Sequence, residues 1–134
     1  MKPIAELDAE LVSMLDAFPN QDERYAYMIK LGNALPPMDE QLKTDKWLVR
    51  GCQSKIWLWA HRIGGEIHYE ADSNSVLNKG ILALLLPIID KQKPEQILNA
   101  KFEFISHANP ADKWSIFRSS GMRALIKAVK EKAE

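Results

Sequence analysis

The chain has 134 residues, enough for one domain, 1–134, with a proper hydrophobic core. Hydrophobic residues make up 46% and charged residues 27%, a balance that excludes a disordered chain. Lys+Arg and Asp+Glu both total 18, so the formal charge is zero, and the basic excess that a nucleic-acid binder sets against phosphates is missing.

Met1-Lys2-Pro3-Ile4-Ala5-Glu6 contains no apolar signal-peptide core. The longest apolar stretch, Ile81 to Ile89, is interrupted by Pro87 and is far shorter than the roughly 20 residues that span a bilayer. The expectation is a cytoplasmic protein with no membrane association. Cys52 is the single cysteine. It forms no internal disulfide, in keeping with a reducing compartment, and cannot alone supply a thiolate metal or iron–sulfur site.

Ile4, Leu7, Leu11, Met14, Leu15 and Phe18 recur at three- and four-residue steps, which predicts an amphipathic helix ended by Pro19-Asn20. Asp22 is a candidate cap for a second helix that carries Tyr25, Met28, Ile29 and Leu31 and stops near Gly32. Met38 to Lys46 is polar and predicts a surface connection. Trp47-Leu48-Val49 is a short apolar run and a candidate third strand, followed by Gly51-Cys52-Gln53-Ser54. Lys55 to Ile63 and Glu66 to Ala71 flank Gly64-Gly65, the pattern of a β-hairpin whose turn needs positive φ at both central residues. Ile67, Tyr69 and Ala71 alternate with Glu66, His68 and Glu70, and Trp57 and Trp59 share a face opposite Ile56 and Leu58.

Asp72-Ser73-Asn74-Ser75 supplies cap residues for Val76 to Ile89, a run apolar nearly all round that suits a helix laid across a sheet. Pro94 to Leu98 predicts a short helix, and Lys101 to Phe117 carries mixed signals. Ser119 or Ser120 opens a last helix with Met122, Leu125, Ile126 and Val129 inward. Strands grouped together with helices segregated before and after give an α+β class: a small antiparallel sheet packed with N-terminal and C-terminal helices.

Taken by its neighbours alone, Cys52 is either a small buried hydrophobe or a reactive thiol. Gly51, Gln53 and Ser54 are poor core residues and set it in a loop. Backbone N–H groups there, or Arg50 or Lys55, would favour a thiolate. A Cys–His nucleophile pair would draw on His61, His68 or His107, although no cysteine-protease signature surrounds Cys52. Asp72 with Ser73 is explained by capping the following helix. Arg118 is a guanidinium beside an apolar run, able to pair with a carboxylate or face an anionic sulfur species.

Val49-Arg50-Gly51-Cys52-Gln53-Ser54-Lys55-Ile56-Trp57-Leu58 resembles the segment that marks the SufE family of sulfur acceptor proteins, which includes the related CsdE-type acceptors. The resemblance extends to Arg24-Tyr25, Leu31-Gly32 and Leu35-Pro36, to Ala71-Asp72-Ser73 with Lys79-Gly80, and to Arg118-Ser119 with Gly121-Met122, in the same order along the chain. It departs from the family at Asn74, where a second acidic residue is common, at Asn109-Pro110 and at Trp114-Ser115-Ile116-Phe117.

That resemblance implies an α+β fold shared with iron–sulfur scaffold proteins. It implies that Cys52 accepts persulfide sulfur from a cysteine desulfurase, stimulates that enzyme and passes the sulfur to an iron–sulfur cluster assembly complex. Gly51, Gln53 and Ser54 would shape the loop, with Arg118 and Asp72 in support. Pyridoxal phosphate would belong to the desulfurase, leaving this chain with no cofactor or metal of its own. Two other readings stay open: an adaptor that activates a partner without transferring sulfur, and a Cys–His hydrolase.

Overall fold

In a computed structural model of the chain, residues 1–51, 54–108 and 120–134 are described. The elements are helices α1 (Ile4–Asp16) and α2 (Gln21–Ala34), strands β1 (Ile56–Ile63) and β2 (Glu66–Ser73), then helices α3 (Val76–Ile89), α4 (Pro94–Asn99), α5 (Phe104–Ala108) and α6 (Ser120–Glu131). Single 3₁₀ turns at Glu40–Leu42 and Asp45–Trp47 lie between α2 and β1. The α+β class expected from the order of the elements is the one observed.

Helix α3 is the centre of the core. Ile81, Leu82, Leu85 and Ile89 are fully buried, because α2, β2 and α1 pack around it. The α2–α3 crossing is close because it is made of glycines. A Cβ on Gly80 would stand 2.5 Å from the Met28 carbonyl oxygen, and one on Gly32 would collide with the Val76 carbonyl oxygen.

The buried Asp8 of α1 accepts from the backbone N–H groups of Glu103 and Phe104, both at 2.8 Å. Those donors are the otherwise unpaired amides at the start of α5, which suit a carboxylate. Arg24 of α2 donates from Nε to the Leu15 carbonyl and from Nη1 to the His107 carbonyl, each at 3.1 Å. One guanidinium thus ties the C-terminal ends of α1 and α5 together. Both side chains join elements far apart in sequence, and neither task shows in local periodicity.

The hairpin follows the predicted register, with Ile56 opposite Ser73 and Ile63 opposite Glu66. Gly64 and Gly65 take φ values of 57° and 83°, as a primed turn requires. Ile56, Leu58, Ile67, Tyr69 and Ala71 face inward and are buried. A lone hairpin is marginal in water, and this one is held by its inner side chains. The Tyr69 hydroxyl donates to the Val129 carbonyl of α6 at 2.9 Å, and Arg62 Nη2 donates to the Ala133 carbonyl at 3.1 Å. The free edge of β2 is blunted by the Ile67–Gln92 bridge.

Three local expectations change. The Trp47 run is no strand: Trp47 ends a 3₁₀ turn, and a lone bridge pairs Leu48 with Trp57. Helix α2 is capped by Asn20, whose side chain accepts from the Glu23 amide, while Asp22 sits in the first turn. Helix α3 is capped by Ser75, not by Asp72 or Ser73. The chain leaves β2 through an extra pair of residues before it can turn into the helix, so the cap falls later.

Candidate functional site

The loop that carries Cys52 is anchored on both sides. On the first stem, the Val49 amide donates to the Ile56 carbonyl at 2.8 Å, holding residues 49 and 56 together. Gly51 has φ of 95°, a conformation side chains disfavour, and a Cβ there would approach the Ala124 Cβ of α6 to 3.3 Å. Glycine at this position lets the loop turn close against α6.

On the second stem, Lys55 is held three times. Its amide donates to Asn74 Oδ1 at 3.0 Å, and its carbonyl accepts from the Asn74 amide at 3.2 Å and from the Ser73 hydroxyl at 2.6 Å. Asn74, a departure from the family pattern at the level of sequence, therefore serves as a backbone clamp. Its side-chain oxygen closes an amide-to-amide pairing that a strand ladder would otherwise have supplied.

Asp72 supports the same end of the hairpin from outside. It lies on the outer sheet face opposite Trp57, yet it is only 4% exposed because the 38–43 segment folds over it. Its carboxylate accepts from the Ser73 amide at 2.8 Å and the Met38 amide at 3.5 Å, and lies 3.5 Å from Lys43 Nζ and 3.9 Å from Lys79 Nζ. A buried carboxylate is tolerated with this many donors. Its role is to fasten a segment, the Ser73 hydroxyl being left to hold Lys55.

Beside Gly51 runs a cleft of about 320 Å³ between residues 47–50 and α6. Arg50, Lys127 and Lys132 give it a positive lining against one carboxylate, Glu131. Lys46 and Lys132 each stand 5.0 Å from the Trp47 ring, a cation–π arrangement. Burial lowers the Lys132 ammonium from its ordinary value, partly offset by the charge of Glu131. The cations expected from Arg50 thus gain company from α6, which no local pattern around Cys52 could have revealed.

The histidines stand elsewhere. His61 and His68 face each other toward the turn end of the hairpin, five residues from Ser73, or roughly 17 Å of extended strand. His107 is on α5, its Nδ1 2.8 Å from Asp16 Oδ1. Of the predicted site residues, Gly51, Ser54 and Asp72 are described, whereas Cys52, Gln53 and Arg118 lie outside the described residues, as do Asn109-Pro110, Ser119 and Trp114 to Phe117. Among the described residues no three His, Cys, Asp or Glu side chains are grouped to hold a metal ion. No helix among them is long and apolar enough to cross a membrane.

Comparison with known proteins agrees with this architecture. A solution structure of a hypothetical protein from Thermus thermophilus superposes with a TM-score of 0.71, covering 99% of this chain and 96% of that one, at 14% identity, a likeness of fold. An uncharacterized SufE-like protein of Rhizobium etli is 32% identical over 135 residues, covering 94% of this chain and 90% of that protein. The family model described as "SufE: Fe-S metabolism associated domain" matches residues 9–133, from α1 to the end of α6. With the loop stems, the α2–α3 glycines and Asp72 all falling inside that match, the chain belongs to the SufE family, a domain associated with iron–sulfur metabolism.

Proposed function

We propose that this protein accepts persulfide sulfur on Cys52 from a pyridoxal-phosphate cysteine desulfurase and hands it to an iron–sulfur cluster assembly complex. The support for the reading comes from the described residues that flank Cys52 in sequence, Val49 bonded to Ile56 and Lys55 held by Asn74, and from the positively lined cleft beside Gly51, in a SufE-family chain. The Cys52 thiolate attacks the terminal sulfur of the desulfurase persulfide. A new S–S bond forms on Cys52, the desulfurase S–S bond breaks, and the desulfurase cysteine leaves as a thiolate. The terminal sulfur keeps its proton, so charge and atoms balance.

This exchange asks for thiolate character and docking rather than a triad, a metal or a resident cofactor. Pyridoxal phosphate is the partner's. Relief of the desulfurase from its product persulfide accounts for stimulation of that enzyme. A free thiol in this role fits the reducing cytoplasm. A Cys–His hydrolase gains nothing from His61 and His68, which sit far along the hairpin from the loop stems.

The test is mass spectrometry after incubation with a purified cysteine desulfurase and cysteine. The native protein gains one or more sulfur masses on Cys52. Cys52→Ser gains none and loses desulfurase stimulation while keeping its fold. Stimulation of equal size by Cys52→Ser, with no added sulfur on the native protein, would leave an adaptor and end the carrier reading.

A further inference from the structure

The outer face of the hairpin presents the same kind of residue pair twice. Trp57 lies across from Asp72, and one step along the same face Trp59 lies across from Glu70. In each case an indole and a carboxylate are direct cross-strand neighbours. The first pair is filled by the chain itself. Lys43 Nζ stands 5.0 Å from the Trp57 ring centroid and 3.5 Å from Asp72 Oδ2. An ammonium so placed is attracted both by the negative face of the ring and by the carboxylate.

Among the described residues the second pair has no such occupant. Glu70 is exposed, and among the described residues no lysine, arginine or histidine reaches ion-pair distance of it. The Trp59 ring is half-buried and stacked on His61, with centroids 5.7 Å apart. The nearby cations are committed: Lys43 and Lys79 to Asp72, Arg62 to the backbone at Ala133 on the inner face. On the turn side of this face Glu66 stands 3.9 Å from His68, and on the other side the Asp72 carboxylate is already matched by Lys43 and Lys79.

We propose that the Trp59–Glu70 pair is a docking point for a lysine or arginine side chain of the cysteine desulfurase, which would repeat in trans the contact Lys43 makes in cis. The inference rests on the sulfur-acceptor function proposed above and names how its partner is held. Charge chooses the occupant, since an acidic or purely apolar group gains nothing from Glu70. Position gives it a use. Trp59 and Glu70 are each three residues from the Ile56–Ser73 end of the hairpin, roughly 10 Å along the strands, so a cation seated there sets the partner close to the stem of the Cys52 loop.

Isothermal titration calorimetry of the full-length protein with the purified desulfurase tests this. Glu70→Lys weakens binding by about tenfold or more, Glu70→Gln and Trp59→Leu by severalfold, and the binding loses part of its salt dependence. Glu66→Gln, at the turn end and opposite Ile63, binds within about twofold of the native protein. The rate of Cys52 persulfidation at saturating protein is unchanged in all of them. Native-like affinity for both Glu70 variants overturns the proposal. If the native protein is persulfidated while those variants bind normally, the docking point alone falls; if it is never persulfidated, the function falls and this inference with it. Concentration-dependent self-association of the native protein that Glu70→Lys abolishes would instead assign the site to a second copy of the chain and overturn the assignment to the desulfurase.

Discussion

Gly80→Ala sets two effects of opposite sign against each other at the α2–α3 crossing. In a helix interior, alanine is favoured over glycine by about 1 kcal/mol, so propensity alone predicts a more stable protein. Packing predicts the reverse. The new Cβ would lie 2.5 Å from the Met28 carbonyl oxygen and 3.2 Å from Met28 Cε. The methionine methyl can swing away, but the carbonyl is held in the α2 ladder. Ordinary contact begins at 3.4 Å, so the helices must part by roughly 0.9 Å along that line (from 2.5 to 3.4 Å).

Separation on that scale opens the packing around Met28, Ile81 and Leu82, all fully buried. Overpacking of this kind costs about 3 kcal/mol at the upper end of its usual range, which exceeds the propensity gain and leaves a net loss of about 2 kcal/mol. For a chain of this size that lowers Tm by roughly 6–10 °C. Urea unfolding followed by tryptophan fluorescence reads the loss as a lower midpoint at unchanged m. Gly32→Ala behaves likewise, and the double variant loses less than the two single losses together, because helices already parted accommodate the second methyl. A Gly80→Ala protein as stable as the native one would show that the crossing yields freely and would refute the reasoning.

Two further outcomes follow from single side chains. Burial pushes the Tyr69 hydroxyl well above its ordinary range, with the Arg62 charge acting the other way. The folded state therefore keeps a proton that the unfolded chain releases near pH 10; the stabilisation is complete below that pH and drains away above it, at up to about 1.4 kcal/mol per pH unit. Tyr69→Phe loses about 1 kcal/mol at neutral pH with the Val129 hydrogen bond but lacks the steep alkaline fall. Parallel urea midpoints for the two proteins between pH 9 and about 11.5 would count against this. Asp72→Ala removes the partner of buried Ser73 and Met38 amides and of Lys43, for a loss of about 3 kcal/mol, and Asp72→Asn about half of that. The Ser73 and Met38 amides should then exchange faster with solvent, and unaltered protection would remove Asp72 from its fastening role.

Helices α1, α2 and α3 and the hairpin were legible because each is written in short-range periodicity: steps of three and four for Ile4 to Phe18, alternation across Gly64-Gly65 for the strands. The α2 cap fell two residues earlier than expected, at Asn20, and within 72–75 it is Ser75 rather than Asp72 or Ser73 that caps α3, since several adjacent residues could accept the same amide and only the turn of the backbone selects one. The Trp47 run had strand composition, but pairing needs a partner in register, and it found a single bridge.

By itself the sequence determined the chemical inventory: one thiol, in a Gly-Cys-Gln-Ser segment of a neutral chain, too few cysteines for a thiolate metal or iron–sulfur site. Composition and adjacent residues suffice for that, because they decide which reactive groups exist at all. Only the tertiary structure decided what surrounds the thiol's loop. The Asn74 clamp on Lys55, the cover of 38–43 over Asp72, Lys127 and Lys132 in the cleft beside Arg50, and the Trp59–Glu70 pairing all join residues distant along the chain. Such contacts depend on how helices and hairpin are packed, and no local pattern encodes which distant side chain arrives.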